Sequence, residues 1–245
     1  DLLAFMIGSL EQASLHREKA LTNLTEAERH FLFLHARSIV EHYTPQISSL
    51  SNQASAQVKA DLRFAELLEK QIDYASLLAS AQVLARLANE PWLHQAAATW
   101  TIPLPVSAIP PGVTGDVLLV QKTSYGLIII GGLGPNTYEI EEGVGLIIDV
   151  GGNDLYRGKI AASAHESQGN AVVIDLAGND TYTGAPLGLA TGRLGVGLLI
   201  DHDGDDVYQL DIGSGGAGFG GLGILFDAKG NDVYTGNRLT QGAAI

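Results

Sequence analysis

From Gly143 onward the sequence repeats itself every 26 residues, and each repeat carries the same acidic turn. In every copy an Asp, a Gly, a second Asp and a Tyr stand at the same places and advance by the same interval. A fixed period of this size is typical of a stacked array, so each of these residues is expected to form a column. The four copies are Asp149–Tyr156, Asp175–Tyr182, Asp201–Tyr208 and Asp227–Tyr234.

Apolar residues precede the first Asp of each copy, and they form columns as well. Branched apolar columns at successive coils are what the interior of a parallel β-helix requires, with neighbouring coils about 4.8 Å apart. We therefore predict a parallel β-helix whose interior holds two such columns. Three-sided coils of this length resemble right-handed β-helices, so a right-handed coil is expected. The two columns are Leu146, Val172, Leu198 and Ile224, and Ile148, Ile174, Ile200 and Phe226.

The two ends of the array differ from its middle. Gly131–Tyr138 is a shortened copy of the turn with no Asp at either motif position, as is typical where an array meets its cap. Residues 236–245 stand where a further repeat begins. Because native proteins do not leave strand edges bare, we expect further chain or a neighbouring subunit to cover this open end.

The first hundred residues have the pattern of helices. Thr25 and Glu28 form a capping box, which predicts a helix that begins there. Asp73 is the expected N-cap of a later helix that ends before Pro91. Prolines then interrupt the chain at four positions: Pro103, Pro105, Pro110 and Pro111.

The fold class that follows is α+β in two parts. We predict an all-α N-terminal helical domain over residues 1–102 and a Pro-rich connector over 103–115. The parallel β-helix, with its 26-residue coils, is expected over residues 116–245. Glycine use supports this division, since only Gly8 of the 30 glycines precedes Pro111.

Charge is concentrated in the C-terminal part of the chain. Residues 111–245 contain 16 acidic and 6 basic residues, a net charge of −10, whereas residues 1–110 contain 11 and 8, a net charge of −3. Such an acidic surface disfavours nucleic acid and anionic lipid as partners and suits cations. The chain has no cysteine, which excludes disulfides and thiolate metal sites. The longest early apolar run, Leu2–Ile7, is far shorter than the roughly 20 residues of a membrane-spanning helix.

The stacked Asp columns need a partner that neutralises them. Like charges about 4.8 Å apart repel by about 1 kcal/mol in water and by roughly 3 kcal/mol at an effective dielectric constant near 20. Bases near the motif are few, namely Arg157, Lys159 and Lys229. Calcium between successive coils would remove the repulsion, because it tolerates irregular coordination by six to eight oxygens. The candidate ligands are Asp149, Asp154, Asp175, Asp180, Asp201, Asp203, Asp205, Asp206, Asp227 and Asp232.

The third copy has the densest set of carboxylates and is expected to form the tightest site. Two other interpretations of the columns stay open. Asn and Asp are ordinary turn residues that bond to nearby backbone, so a structural hydrogen-bonded ladder without an ion is the main alternative, and another metal is the third. The Tyr column is predicted to be a stacking and packing ladder and not a ligand face.

At these turns the chain resembles the RTX calcium-binding β-roll repeat, a nine-residue motif of the form Gly-Gly-x-Gly-x-Asp-x-apolar-x. Gly152–Tyr156 and its equivalents match the second half of the motif, whereas Asp149-Val150 and its equivalents replace the opening glycine pair. The match covers about eight residues of each coil and none of residues 1–115, and the period is 26 instead of nine. The resemblance implies that the Asp after the Gly-x pair is a calcium ligand, here Asp154, Asp180, Asp206 and Asp232.

Other motifs do not predict a second site. His30, His35 and His42 share one predicted helix without the i, i+4 spacing of a zinc-binding pair. Asp201–Asp206 begins like an EF-hand loop, but Ile212 stands where that loop needs a bidentate Glu. The residues that break the repeat near the motif are His165, Glu166, Arg193 and His202.

These patterns predict a calcium-binding structural or adhesive repeat protein of the cell envelope or extracellular space, where calcium is abundant enough to fill weak sites. The helical domain and the open end of the β-helix are the expected surfaces for a protein partner or for self-association. The alternative is a carbohydrate-active β-helix enzyme, a polysaccharide lyase or hydrolase. Such an enzyme needs an acid and a base that break the repeat along one groove.

Overall fold

The computed structural model describes residues 2–42, 52–89, 91–93 and 109–244. Helices occupy residues 2–88, and a parallel β-solenoid spans residues 113–236, so the predicted two-part fold is confirmed. The right-handed coil stays a prediction. The helices are α1 (Leu2–Ala20), α2 (Glu26–His42), α3 (Asn52–Gln71) and α4 (Tyr74–Ala85), followed by a 3₁₀ turn at Arg86–Ala88.

Side chains cap two of the helices as predicted. The Thr25 amide donates to Glu28 Oε2 at 3.0 Å, and the Glu28 amide donates to Thr25 Oγ1 at 3.3 Å, which completes the capping box. Asp73 Oδ1 accepts from the amides of Ala75 and Ser76 at 3.0 and 3.2 Å and so begins α4. These bonds satisfy amides that have no partner inside the helix.

The solenoid begins earlier than its predicted bound at residue 116, because the first strand starts at Val113, inside the predicted connector. Pro103 and Pro105 lie outside the described residues. The strands are β1 (Val113–Thr123), β2 (Gly126–Ile140), β3 (Val144–Asp149), β4 (Leu155–Ile160), β5 (Asn170–Asp175), β6 (Thr181–Leu189), β7 (Gly192–Arg193), β8 (Val196–Asp201), β9 (Val207–Leu210), β10 (Gly218–Phe219), β11 (Leu222–Asp227) and β12 (Val233–Gly236).

Each coil contributes one strand to each of two long parallel ladders. The first ladder contains β3, β5, β8 and β11, and the second contains β4, β6, β9 and β12. A short third ladder joins β7 and β10. Residues 26 apart are paired along the full coils, as Asp175 is with Asp201 and Tyr182 with Tyr208, except at a bulge where Ile160 pairs with Leu189. The predicted period is therefore the register of the sheets.

Strand β2 belongs to both ladders. Its start pairs with β3 and its end pairs with β4, while β1 covers it in antiparallel orientation. The shortened copy Gly131–Tyr138 consequently lies within a strand and does not form the turn that its sequence predicts. This antiparallel pairing closes the N-terminal end of the solenoid.

The predicted interior columns lie on the wrong side of the first ladder. Leu146 and Ile148, with their equivalents in the next two coils, share a core with Met6, Leu10 and Leu84 of α1 and α4, whereas Ile224 and Phe226 are exposed. Strand residues alternate between faces, so the interior receives the residue between them. That column contains Ile147, Val173, Leu199 and Leu225 and packs with buried tyrosines.

The described helices cover the first ladder and the short side formed by β7 and β10, and none of them packs on the second ladder. Whereas α1 and α4 lie on the first ladder, α2 and α3 contribute to a second core with residues of the short third side, such as Leu194 and Phe219. On the second ladder, outward side chains such as Arg157, Gln209 and Thr235 are exposed. The acidic turn connects the first ladder to the second, at the corner beside this open face.

Candidate metal centre

Two aspartates of each coil are fixed by the ends of the strands that flank the turn. The first ends a strand of the first ladder, in the same interior-facing set as Ile147, and the second lies directly before a strand of the second ladder. Asp149, Asp175, Asp201 and Asp227 are called the strand column below. Asp154, Asp180, Asp206 and Asp232 are called the turn column.

Three members of the strand column accept hydrogen bonds from tyrosines of the preceding coil, whereas Asp227 accepts from Tyr234 of its own coil. Tyr156 donates its hydroxyl to Asp175 Oδ2 at 2.5 Å, and Tyr182 donates to Asp201 Oδ2 at 2.6 Å. The first member, Asp149, accepts in the same way from Tyr138 at 2.5 Å. These three carboxylates are fully buried. Phenol groups thus supply one donor to each, which is much less than the hydration that burial removes.

The turn column bonds to the backbone of the preceding coil. Asp180 Oδ1 accepts from the amide of Asp154 at 2.6 Å, and Asp206 Oδ1 accepts from the amide of Asp180 at 2.7 Å. The same bond joins Asp232 to the amide of Asp206 at 3.0 Å. Each turn is therefore fixed to its neighbour through one carboxylate oxygen.

The other oxygen of the turn column has no such partner. Oδ2 of Asp154, Asp180 and Asp206 is buried and receives no hydrogen bond from any described residue. Their side chains belong to residues that are 3 %, 1 % and 1 % exposed. An ionised carboxylate oxygen left in this state is costly, because its lost hydration is not replaced. Each of these three oxygens therefore needs a cation or a proton beside it.

Three groups of carboxylates are close enough to share one cation. In each group, one oxygen from every member lies within 4.8 Å of the others. Asp206 belongs to two groups and so links them. The groups are Asp149, Asp154 and Asp175; Asp180, Asp201 and Asp206; and Asp206, Asp227 and Asp232.

The pKa values of these carboxyls report their mutual proximity and their burial. Burial, and then the charge of the neighbouring Asp154, raise the pKa of Asp149 to about 8. Burial also raises the pKa of Asp206 to about 8, of Asp180 to about 7 and of Asp201 to about 6. The pKa of Asp175 is well above its ordinary value, because of burial and then the charge of Asp180. Without a cation, several of these groups therefore hold a proton near neutral pH.

The bases near the motif are engaged elsewhere. Arg157 pairs with exposed Glu139 at 3.3 Å, and Lys159 donates to the backbone oxygen of Pro186. Lys229 Nζ lies 3.6 Å from Asp203 Oδ2, where both side chains are mostly exposed. None of these three contacts reaches the buried carboxylates.

Two of the ten predicted ligands are placed apart from the groups. Asp203 and Asp205 are exposed, and neither belongs to a carboxylate group among the described residues. Asp205 Oδ1 instead accepts from the amide of Asn231 at 2.9 Å. The density of acids in the third copy therefore does not gather four carboxylates, since alternate turn residues point to solvent.

Exposed side-chain oxygens form a second set of hydrogen bonds between neighbouring turns, and sequence reasoning missed it. The Asn179 amide donates to Asn153 Oδ1 at 2.9 Å, and the Asp205 amide donates to Asn179 Oδ1 at 2.8 Å. The only sequence signal was an Asn or Asp before the second Asp of each copy. Each turn thus bonds to its neighbour through an exposed oxygen as well as a buried one.

The tyrosine column forms the predicted stacking ladder. Successive rings from Tyr138 to Tyr234 have centroids 4.9, 4.6, 4.7 and 4.5 Å apart and lie nearly parallel. All but the last ring are buried. Sequence reasoning found the stack but missed the hydroxyl bonds to the strand column. The signal was available, because alternation places the Tyr and the first Asp of each copy on the same interior side.

The residues that break the repeat mostly attach the helices to the solenoid. Arg193 is buried, donates to Ser163 O at 2.9 Å and lies 3.8 Å from the Phe33 ring centre. Glu166 accepts from His30 Nδ1 at 2.5 Å. His165 Nδ1 lies 2.8 Å from the Ser167 hydroxyl, in the same loop.

The structure shows the contacts of two of the three histidines in α2. His35 Nε2 lies 2.8 Å from Asp61 Oδ1, between α2 and α3, and its ring stacks on Phe31. His30 faces Glu166 of the solenoid. The side chain of His42 lies outside the described residues. These contacts give His30 and His35 separate partners.

Comparison with known proteins gives no family for this chain. No family model, no curated protein and no solved structure matches it. In the part of the chain that the structure describes, no helix is both long enough and apolar enough to cross a membrane.

Proposed function

We propose that this protein is a calcium-binding structural repeat protein that acts as a scaffold or assembly component. The observation that carries the proposal is the buried, unpaired Oδ2 in each of three successive turns, beside carboxylates of the strand column. A divalent cation in each group would supply charge compensation that no base near the motif provides. The solenoid would then be held together by ions as well as by backbone bonds.

The oxygens of each group are close enough for one cation to contact them all, since they lie within 4.8 Å of one another. Calcium is the ion we propose, because it binds oxygen at about 2.3–2.6 Å and accepts irregular coordination. Magnesium requires a smaller, nearly octahedral shell and releases its water reluctantly, which a buried corner does not favour. The ligands would be the eight members of the strand and turn columns, without Asp203 and Asp205.

A structural role is supported by the regularity of the acidic residues. The carboxylates follow the repeat, whereas Arg193 and Glu166, which break it, contact the helices. The carboxylate groups would therefore join successive coils at the same place along the solenoid. An extracellular or cell-surface location agrees with this proposal, because sites made of few ligands need high calcium concentrations. The helices and the far end of the solenoid are the proposed surfaces for partners.

Calcium binding is tested by calorimetry and thermal melting of the full chain in calcium, in magnesium and in a chelator. A ligand that binds only the folded state adds about 2.7 kcal/mol per site at a hundredfold excess over Kd, so calcium is expected to raise Tm by several degrees. Magnesium is expected to do much less. Equal Tm values in calcium and in chelator would overturn the proposal in favour of the proton-holding ladder.

A matched pair of variants locates the binding. Asp206→Asn removes a carboxylate shared by two groups, and is expected to abolish most of the calcium-dependent rise in Tm. In chelator the same change is expected to be neutral or stabilising, because the Asn oxygen can still accept the Asp180 amide. Asp205→Asn, in the same turn but exposed, is the control and should keep the full calcium response. Equal responses of the two variants would place the ion elsewhere.

A further inference from the structure

The last coil exposes groups that the inner coils bury. Among the described residues, no strand pairs with the far edges of β11 and β12. Tyr234 is 38 % exposed, whereas its equivalent Tyr208 is fully buried. Leu225, which belongs to the interior column, is only partly buried, while Leu199 is fully buried. The core of the solenoid is thus open at this end.

A cleft of about 650 Å³ lies at the open end. Leu210, Leu225 and Tyr234 line it, together with the carboxylate of Asp227. In the preceding coils the corresponding space is filled by the interior side chains of the next coil, such as Leu199 and Leu210. The cleft therefore lies at the end of the apolar core, where the interior side chains of one more coil would be.

The hydrogen-bond pattern of the inner turns indicates which groups a coil next to β11 and β12 would need. In inner turns, each turn-column amide donates to the Asp Oδ1 that lies 26 residues further on, and Asp232 is the last such acceptor. Each inner tyrosine has a ring on both faces, whereas Tyr234 stacks only on Tyr208, at 4.5 Å. A neighbour that satisfies this end needs an Asp, an aromatic ring two residues later and a parallel strand.

We propose that this end face binds one further coil of the same 26-residue motif, parallel to β11 and β12 and in register with them. This inference rests on the scaffold role proposed above and names its partner. A second copy in twofold symmetry would bring antiparallel strands and would face Asp227 and Asp232 with their own equivalents. Only a parallel coil presents an Asp to the Asp232 amide and a ring to Tyr234 together.

The first test uses the full chain and a 26-residue peptide that copies Gly169–Leu194. In calcium, the peptide is expected to slow hydrogen exchange of solvent-facing amides in Leu222–Asp227 and Val233–Gly236 at least tenfold. The control peptide carries Ala in place of Asp180 and Tyr182 and should give no protection. Protection that both peptides produce equally would contradict recognition of the motif.

A single coil pays a large ordering cost when it binds from solution, so a tethered version keeps the test decisive. One residue and then a copy of Gly169–Leu194 are appended after Ile245, which preserves the 26-residue period. The appended coil is expected to be protected from exchange and to raise Tm, whereas a scrambled coil is not. If neither the peptide nor the tethered coil protects β11 and β12, the inference is wrong.

Sedimentation of the unmodified chain tests the other possible occupant of this end face, a second copy of the protein. Dimerisation that protects β11 and β12 without any peptide would identify a second copy and overturn the proposal. Calcium melts are read independently of these results. An unchanged Tm in calcium with a protected coil would overturn only the calcium proposal, and a normal calcium shift with no coil binding would overturn only this one.

Discussion

Tyr182 donates its hydroxyl to Asp201 of the following coil, with 2.6 Å between the hydroxyl oxygen and Oδ2. The same ring stacks on Tyr156 at 4.6 Å and on Tyr208 at 4.7 Å. One side chain therefore contacts three neighbours along the array. The apolar core and the acidic turn are joined at this residue, so a change in either is transmitted to the other.

Tyr182→Phe tests that connection. The ring keeps its stack, but Asp201 loses its phenol donor in a buried site, so we expect unfolding to become easier by about 1–3 kcal/mol. Urea denaturation at constant calcium measures the loss. Tyr234→Phe is the matched control, since its hydroxyl donates to Asp227 at 2.8 Å at the exposed end. Its expected loss is below about 0.5 kcal/mol, and equal losses would contradict the role of burial.

Stability in chelator is expected to fall as pH rises. Burial raises the pKa of Asp201 to about 6, of Asp180 to about 7 and of Asp206 to about 8, whereas unfolded aspartates titrate near 3.9. Between about pH 4 and pH 8 the folded state therefore binds more protons than the unfolded state. Stability is highest below the unfolded pKa and is lost as pH passes the folded values. Urea unfolding at pH 5 and pH 8.5 measures this slope.

Calcium is expected to reverse this pH dependence. Ion binding requires ionised carboxylates, so a saturated protein gains stability as pH rises from 5 to 8.5. The same urea experiments in millimolar calcium provide the comparison. A slope that is negative in both buffers would show that protons, not calcium, neutralise the columns.

Two glycine substitutions are expected to have opposite effects. A Cβ on Gly204 would lie 1.7 Å from the backbone oxygen of Gly178, so Gly204→Ala forces adjacent turns apart. We expect a loss of at least about 3 kcal/mol. Gly8 lies in α1 with nothing within 4 Å of an added Cβ, so Gly8→Ala is expected to stabilise by about 0.5–1 kcal/mol. Thermal melts of the two variants measure both signs, and a tolerated Gly204→Ala would contradict the close stacking.

Arg193→Met tests how the helices are attached. The buried guanidinium donates to Ser163 O at 2.9 Å and to Phe33 O at 3.4 Å, so its removal takes a donor from the Ser163 carbonyl and breaks the bond to α2. We expect a loss of about 1–2 kcal/mol and faster hydrogen exchange in α2. Arg157→Met removes an exposed pair with Glu139 and is the control, with an expected change within about 0.5 kcal/mol. Unchanged exchange in α2 would contradict the attachment role.

The period of the repeat predicted the register of both ladders, because residues with one role in every coil must stack. It did not predict which side of the first ladder faces inward. Leu146, Ile147 and Ile148 are all apolar, because both faces of the strand are buried. The helices cover the outer face, and the interior of the coil covers the inner face. Alternation, the usual indicator of an interior, is absent from a strand that is covered on both faces.

The sequence predicted that aspartates stack at this corner, but it did not predict which of their side chains point inward. Asp201 and Asp206 are buried members of one group, whereas Asp203 and Asp205 between them are exposed. A count of acidic residues cannot distinguish these pairs, because the corner geometry decides which side chains turn inward. The bond of the Tyr182 hydroxyl was missed for a different reason. Strand alternation placed the hydroxyl on the same side as the first Asp, but its partner lies 19 residues away in the next coil.

The helical layer also restricts how this architecture can grow by duplication of its repeat. Outward residues of the inner coils, such as Leu198 and Ile200, are 2 % and 8 % exposed beneath the helices, but Ile224 and Phe226 of the last coil are 36 % and 55 % exposed. A further 26-residue coil with the same outward residues would therefore add roughly 4.8 Å of apolar outer surface beyond the described helices.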